Sequence, residues 1–203
     1  MNTRIAAALI SSLATFLYSS AHAQVATETV TLLPTDDGFV GDEQPYLFDG
    51  VPDVVDSEFV VVQLVSSDAG GFLVIDRRGV MEFDLSSIAG RNVRRAILKL
   101  EATIFQTPYG SFEVPIEVRH YKGNGVIGLK DFRRGAFTTV FDMRSFTLSN
   151  LTVRVDVTKA VRTALAQQWT YLGLTMRTNI HQAGISLGSV EHSPAPSLVI
   201  TLD

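Results

Sequence analysis

The chain has 203 residues and a formal net charge of −4, with 46% hydrophobic and 19% charged residues. This composition is too apolar for a disordered chain, and the length suits a single domain. The acidic balance argues against a nucleic-acid-binding protein, which needs a basic surface for phosphates. Because the chain contains no cysteine, disulfide bonds, thiolate metal sites and cysteine nucleophiles are excluded.

The first 23 residues are predicted to be a cleaved signal peptide. Arg4 provides a positive start, residues 5–18 form an apolar run too short to span a bilayer, and Ala21-His22-Ala23 fits an A-x-A cleavage site. We therefore expect a secreted or periplasmic protein whose mature chain begins at Gln24. No later segment is long and apolar enough to predict a membrane span.

Alternation of apolar and polar residues predicts that most of the mature chain forms antiparallel strands. The pattern is clearest over residues 95–105 and recurs in shorter segments, at 28–33, 57–65, 80–85, 113–121, 151–157, 172–177, 184–189 and 197–202. Pro115 lies on an outward position, which predicts an edge strand or a bulge there. The Asp-, Gly- and Pro-rich stretch 34–56 is expected to be a long loop.

One stretch, at about 157–168, is predicted to be a helix. Val157, Val161, Ala164 and Leu165 form an apolar stripe at helical spacing, and Asp156 can cap its start. With no repeat and no linker in view, residues 24–203 are predicted to be one domain. The expected fold is all-β, an antiparallel jelly-roll-like β-sandwich with one short helix.

Two segments resemble a known family. Residues 78–90 (RGVMEFDLSSIAG) and the strand at 93–100 (VRRAILKL) are similar to the signature R-x-x-x-x-F-D-L-S-x-I-x-G and the following strand of DNRLRE-type domains. Further matches to the ending of that family stand at 155–161 (VDVTKAV), 171–174 (YLGL) and 195–200 (APSLVI). The segment 120–125, with Asp131 and Phe132, is more similar to the variant in exported proteins that carry a PEP-CTERM sorting tail.

The resemblance implies a jelly-roll-like sandwich on a secreted bacterial or archaeal protein. One branch of the family is classed as a carbohydrate-binding module with affinity for anionic polysaccharide such as alginate, and other members belong to surface or matrix proteins. The chain departs from the family pattern before its last strand. Val190 stands where the family often has arginine, and Ser197 replaces the arginine of A-P-R-L.

No catalytic motif is present. The chain lacks the G-x-S-x-G and H-E-x-x-H patterns, and no spacing selects a pair of carboxylates for glycoside hydrolysis. His120 falls on an inward strand position, where a packed and hydrogen-bonded histidine is more common than a catalytic base. The protein is therefore predicted not to be an enzyme.

Two segments are candidate calcium sites, and no other cofactor is predicted. The acidic residues of the expected loop could hold a structural calcium ion, or they could be a solvated surface; they are Asp36, Asp37, Asp42 and Glu43. The segment 120–131 partly matches an EF-hand loop, but Lys122 would occupy a ligand position. A Gly-rich turn is the better interpretation of that segment.

Sugar binding would require exposed aromatic rings for stacking and cationic side chains for acidic groups. The outward positions of the predicted strands supply such candidates, namely Arg119, Tyr121, Arg154, Tyr171 and Arg177. The alternative is an ordinary solvated strand surface, and the same two interpretations apply to Arg77-Arg78 and Arg133-Arg134. Trp169 could be a sugar platform or a plug in the core.

The sequence therefore predicts an exported, non-catalytic module that binds an extracellular, anionic polysaccharide. The alternative is a structural component of a matrix or envelope that acts through contacts with surface or matrix proteins. A small polysaccharide-active enzyme is the third possibility.

Overall fold

The structure is a computed structural model that describes residues 27–43, 50–66, 74–106, 113–145, 151–181, 183–191 and 194–203. The predicted signal peptide and its cleavage site lie outside these residues. The described part is built from antiparallel strands, which are β1 Glu28–Leu32, β2 Asp36–Asp42, β3 Val54–Asp56, β4 Val60–Ser66, β5 Val74–Asp84, β6 Val93–Gln106, β7 Pro115–Lys122, β8 Ala136–Asp142, β9 Thr152–Asp156, β10 Tyr171–Thr178, β11 Ala183–Leu187 and β12 Ser197–Leu202. The helix α1, Thr158–Ala166, connects β9 to β10.

The long strand β6 connects two layers of strands. Its residues 93–99 pair with β12 and its residues 97–101 pair with β9, whereas residues 102–106 pair with β11. One layer therefore has the order β1-β12-β6-β9. The other continues through β11-β4-β5-β10-β7-β8. β2 joins it along β5, and β3 pairs with β2.

One large apolar cluster lies between these layers. Leu98 and Ile200 enter it from the first layer, and Phe83 and Leu174 enter it from the second. All four side chains have no solvent exposure, and burying a side chain of this kind contributes about 1.5–3 kcal/mol. The prediction of an all-β, antiparallel sandwich with one short helix is confirmed.

A second, smaller cluster covers the opposite face of the second layer. It contains Val40, Val80, Tyr121, Ile127 and Phe132. Because neighbouring residues of a strand point to opposite faces, Val80 faces away from the main core that Met81 fills. The segment 123–135, which follows β7 and contains a short 3-10 helix at Leu129–Arg133, therefore lies over this face.

The helix α1 follows the predicted stripe. Ala160, Val161 and Ala164 are buried, and the Thr158 hydroxyl accepts a hydrogen bond from the Ala96 N–H at 2.9 Å, which fixes the helix on β6. The Asp156 carboxylate accepts the Thr158 N–H at 2.9 Å. The N-cap residue is nevertheless Val157, so Asp156 acts one position earlier than a cap.

Every predicted strand region contains an observed strand, but the expected loop at 34–56 is wrong. Residues 36–42 form β2, which pairs with β5, and residues 54–56 form β3. Gly38 allows the backbone of β3 to approach closely, since a Cβ at this position would collide with the Asp56 carbonyl. Residues 44–49 lie outside the described residues. The sequence analysis also missed β8.

The described part of the chain contains no helix that is long and apolar enough to cross a membrane.

Candidate functional site

Five arginines surround a cavity on the outer face of the second layer. The cavity has a volume of about 260 Å³, and its lining also includes Phe132 and Thr175. We call it the arginine pocket, and its five cationic residues are Arg78, Arg119, Arg133, Arg134 and Arg177. They come from β5, β7, β10 and the segment 123–135, so the pocket exists only in the folded chain.

The strand register brings the central residues together. Arg119 of β7 lies opposite Thr175 of β10, and Glu117 lies opposite Arg177. Directly opposed residues in an antiparallel pair share a face and have neighbouring side chains. Two adjacent strands thus present two arginines on one face, with a carboxylate between them.

Carboxylates fix several of the arginines without cancelling their charge. Glu117 Oε2 accepts hydrogen bonds from Arg177 Nε at 2.8 Å and from Arg119 Nε at 3.2 Å. The Arg177 hydrogen bond in particular lowers the pKa of Glu117, so the carboxylate stays ionised. Only Nε of Arg177 has a hydrogen-bond partner among the described residues, so Nη1 and Nη2 remain as donors.

The other arginines are held by neighbours as well. Arg78 Nη2 contacts Asp76 Oδ2 at 2.8 Å, Nη1 donates to the Phe132 carbonyl at 2.6 Å, and the guanidinium lies 3.7 Å from the centre of the Phe132 ring. Arg134 Nη1 lies 3.5 Å from Asp131 Oδ1. Among the described residues, three carboxylates form ion pairs with arginines of this pocket, so its five arginines outnumber their ion-pair partners by two.

Buried carboxylates hold the segment 123–135 against the sheet. Glu82 Oε2 accepts the N–H groups of Asn124, at 2.8 Å, and of Gly125. Asp36 accepts the Ile127 N–H and Asp131 accepts the Gly128 N–H. Charge-assisted hydrogen bonds of this kind are stronger than neutral ones, so the wall of the pocket that carries Arg133 and Arg134 is well fixed.

Tyr121 supports the pocket from beneath. Its hydroxyl donates to Glu82 Oε1 at 2.9 Å, and burial, together with the charge of Glu82, raises the pKa of the phenol far above its usual value. A Cβ at position 173 would collide with the Tyr121 ring, so only glycine fits opposite it. Burial also raises the pKa of Asp131, and the charge of Glu82 adds to that shift.

An exposed aromatic ring lies beside the pocket. Phe137 of β8 is opposite Arg119 in the register, which places both side chains on the same face. The Phe137 side chain is 55% exposed. An apolar ring next to cationic groups is the combination that an acidic sugar requires, because its ring can stack while its acidic group pairs with a guanidinium.

The structure brings together part of the predicted binding face. Arg119 and Arg177 both line the pocket. Tyr171 is half-buried against Gly125, opposite Asp84. The expectation that Tyr121 is exposed is wrong, since the segment 123–135 covers it and leaves 5% of the residue accessible. Arg154 lies on β9, in the other layer, where it is exposed and pairs in register with Lys99.

Sequence reasoning missed the other half of the pocket. Arg78, Arg133 and Arg134 were noticed only as pairs of arginines in loops, and Phe137 was not considered at all. The available signal in the sequence was the adjacent pair Arg133-Arg134, which follows soon after the outward Arg119. Nothing in the sequence pattern indicated that the segment after β7 would fold back over the same face.

The four predicted calcium ligands do not converge. Asp36 accepts the Ile127 N–H at 2.8 Å, Asp37 accepts the Val190 N–H at 3.2 Å, and Glu43 forms an ion pair with Arg77 at 2.6 Å. Asp42, at the end of β2, is buried. The described residues contain no group of three acidic, histidine or cysteine side chains that could hold a metal ion. The calcium site stays a prediction without a ligand set.

Asp37 is one of several fully buried acidic residues. Its side chain is fully buried, and desolvation raises its pKa to about 7, with further upward effects from Glu191 and Asp36. The Val190 N–H partly offsets this rise. Asp37 thus holds the segment before β12 against β2.

His120 faces inward, as predicted, and is almost completely buried. Its Nδ1 lies 2.7 Å from the Thr138 hydroxyl. Burial lowers the pKa of the imidazole, and the charge of Lys159 lowers it further. His120 is packed between strands and does not line the arginine pocket.

Comparison with known proteins adds no relative. No protein-family model matches the chain, and no curated protein matches it. The similarity to DNRLRE-type and PEP-CTERM-associated domains therefore stays a prediction from the motifs.

Proposed function

We propose that this protein is an exported, non-catalytic module that binds an extracellular anionic polysaccharide in the arginine pocket. The observation that carries the proposal is a concave site whose five arginines outnumber their ion-paired carboxylates by two, in a chain whose net charge is −4. A local excess of this kind attracts anions even when the whole molecule is acidic. The DNRLRE resemblance points to the same class of ligand.

The geometry favours a carboxylate or sulfate group on a sugar. Arg177 keeps its two Nη groups as donors toward a ligand, and a guanidinium can donate two parallel hydrogen bonds to a carboxylate. A cavity of about 260 Å³ lies just below the range for drug-sized ligand pockets, which is about 300–1,000 Å³. It therefore suits one acidic sugar unit, with Phe137 available to the next unit along the chain.

Affinity electrophoresis of residues 24–203 tests this function. Gels contain alginate, polygalacturonate or a neutral glucan, and the proteins are the wild type, Arg119→Ala, Arg177→Ala and Arg154→Ala. We expect an acidic glycan to retard the wild type, and we expect each pocket variant to bind about tenfold more weakly. Arg154→Ala is the matched control, because it removes the same charge from the other layer and should migrate like the wild type.

Equal weakening by all three variants would show a general charge effect and would contradict binding in the pocket. Circular dichroism and thermal unfolding of each variant separate lost binding from lost structure. Gels run with calcium and with EDTA test the predicted calcium ion, and reducing-sugar release tests the predicted absence of catalysis.

An assembly role is the second candidate, and β8 favours it. This strand lies at one end of the strand order, and its Phe137 and Val140 are both at least half exposed. Exposed apolar residues on an end strand are typical of surfaces that pair with another chain. Association on a sizing column, lost in Val140→Lys, would support the assembly role over sugar binding.

A further inference from the structure

Two further cavities lie beside α1, away from the arginine pocket. One has a volume of about 300 Å³ and is lined by Gln168 and Trp169; the other has a volume of about 500 Å³ and is lined by Arg91 and Arg162. Gly90 and Leu165 line both cavities, so the two are adjacent, and together we call them the helix groove. Both volumes fall in the range of small-molecule sites, about 300–1,000 Å³.

Trp169 packs against the core on one side and lines the helix groove on the other. It packs against the main apolar cluster, and its ring centre lies 6.2 Å from that of the buried His120. It also lines the helix groove. A ring that is fixed from behind and accessible from the groove presents a rigid apolar surface at low entropic cost.

Gln168 adds a second, independent observation. It follows the end of α1 with a φ of 55°, and it is the only residue other than glycine with positive φ among the described residues. This left-handed position usually belongs to glycine or asparagine. A glutamine that is held in a costly conformation, with its residue lining a cavity, is the type of outlier that accompanies functional sites.

The charges in the helix groove are balanced, in contrast to those of the arginine pocket. Arg91 pairs with Glu28 at 2.7 Å. Arg162 donates to the carbonyls of Val93 and Arg94, at 2.8 and 2.9 Å, and Asp203 lines the same cavity. The groove therefore offers an aromatic ring and planar hydrogen-bonding groups without an excess of positive charge.

We infer that the helix groove is a second glycan-binding site, and that it takes uncharged sugar units. A sugar ring stacks on Trp169, and its hydroxyl groups hydrogen-bond to the Gln168 amide and the Arg162 guanidinium. This site is independent of the arginine pocket. A chain with both sites would hold a mixed or branched polysaccharide at two points, which raises the overall affinity by effective concentration.

The tryptophan itself reports on the site, because the chain contains only one. The full mature protein is titrated with the neutral hexasaccharides cellohexaose, laminarihexaose and mannohexaose while Trp169 emission is recorded. We expect a saturable change with at least one of the three sugars. No change with any of them at about 10 mM, a concentration that detects millimolar affinity, would overturn the inference.

Variants assign the response to the helix groove. Gln168→Gly removes the amide and keeps Trp169, and glycine suits this helix-end conformation, so the variant is expected to fold. We expect it to bind about tenfold more weakly, whereas Gln167→Ala, at the neighbouring exposed glutamine, should bind as the wild type does. Equal affinity in Gln168→Gly would also overturn the inference. Arg177→Ala should keep the full response, which separates this site from the arginine pocket.

Discussion

The fold raises the pKa of one aspartate, Asp37, far above its usual value. Its carboxyl group is fully buried, and burial raises its pKa from the ordinary value of 3.8 to about 7. Between these values the folded protein holds one proton more than the unfolded chain. The contribution of Asp37 to the free energy of unfolding therefore decreases as the pH rises from about 4 to about 7, and it is constant above that range.

Asp37→Asn should remove this contribution. Asparagine resembles the protonated acid and can still accept the Val190 N–H. We expect the stability of the variant relative to the wild type to increase from about pH 5 to about pH 7, by at most about 1.4 kcal/mol per pH unit, and then to level off. Urea unfolding of both proteins across this range measures it. A difference that is the same at every pH would contradict the assignment.

At the scale of an element, the end of α1 departs from the residue preference of an ordinary helix end. The Trp169 N–H donates to the Ala164 carbonyl at 2.9 Å, and the Gln168 N–H donates to the Leu165 carbonyl at 3.0 Å. These two hydrogen bonds define a Schellman motif. Glycine is the residue that the motif favours, but Gln168 occupies the left-handed position.

Gln168→Gly should therefore stabilise the protein, by about 0.5–1 kcal/mol, since it relieves the cost of a left-handed side-chain-bearing residue. Thermal or urea unfolding measures the gain. Gln167→Gly is the control, because Gln167 has a φ of −92° and gains nothing from glycine. A loss of stability in Gln168→Gly would contradict the assigned helix end. Such a gain in stability, with weaker sugar binding, would show that the glutamine is kept for function.

Strands whose apolar and polar residues alternate were predictable, and strands without that alternation were not. In β12 the buried residues Leu198, Ile200 and Leu202 alternate with partly exposed ones, so period two was evident. The sequence of β8, AFTTVFD, does not alternate between apolar and polar residues, and none of its residues is fully buried. In β2 two aspartates precede Gly38, and these residue types disfavour strands. Pairing with β5 and the buried hydrogen bonds of the carboxylates outweigh that preference.

The candidate site could be predicted only to the extent that it follows strand alternation. The outward positions of Arg119 and Arg177 could be inferred from alternation, but their shared face depends on the pairing of β7 with β10. Arg154 has the same outward phase and lies in the other layer. Arg133 and Arg134 reach the same pocket through the fold of the segment 123–135. That fold depends on the contact of Asn124 with the distant Glu82, and such long-range contacts leave no local pattern.

At the scale of the whole molecule, charge is distributed unevenly. The chain is acidic overall, yet five arginines gather on one face of the second layer and exceed their carboxylate partners by two. The buried carboxylates of Asp36 and Glu82 accept backbone N–H groups instead of pairing with these arginines. This uneven distribution is the physical basis of the proposed recognition of an acidic polysaccharide.

The most direct test of that recognition observes the guanidinium groups themselves. Arginine Nε–H signals in ¹⁵N–¹H spectra, assigned with Arg119→Ala, Arg177→Ala and Arg154→Ala, are followed while an oligouronate is added. We predict that the Arg119 and Arg177 signals shift together and saturate, while the Arg154 signal stays in place. Shifts of Arg154 alone, of all arginines equally, or of none would contradict binding in the arginine pocket.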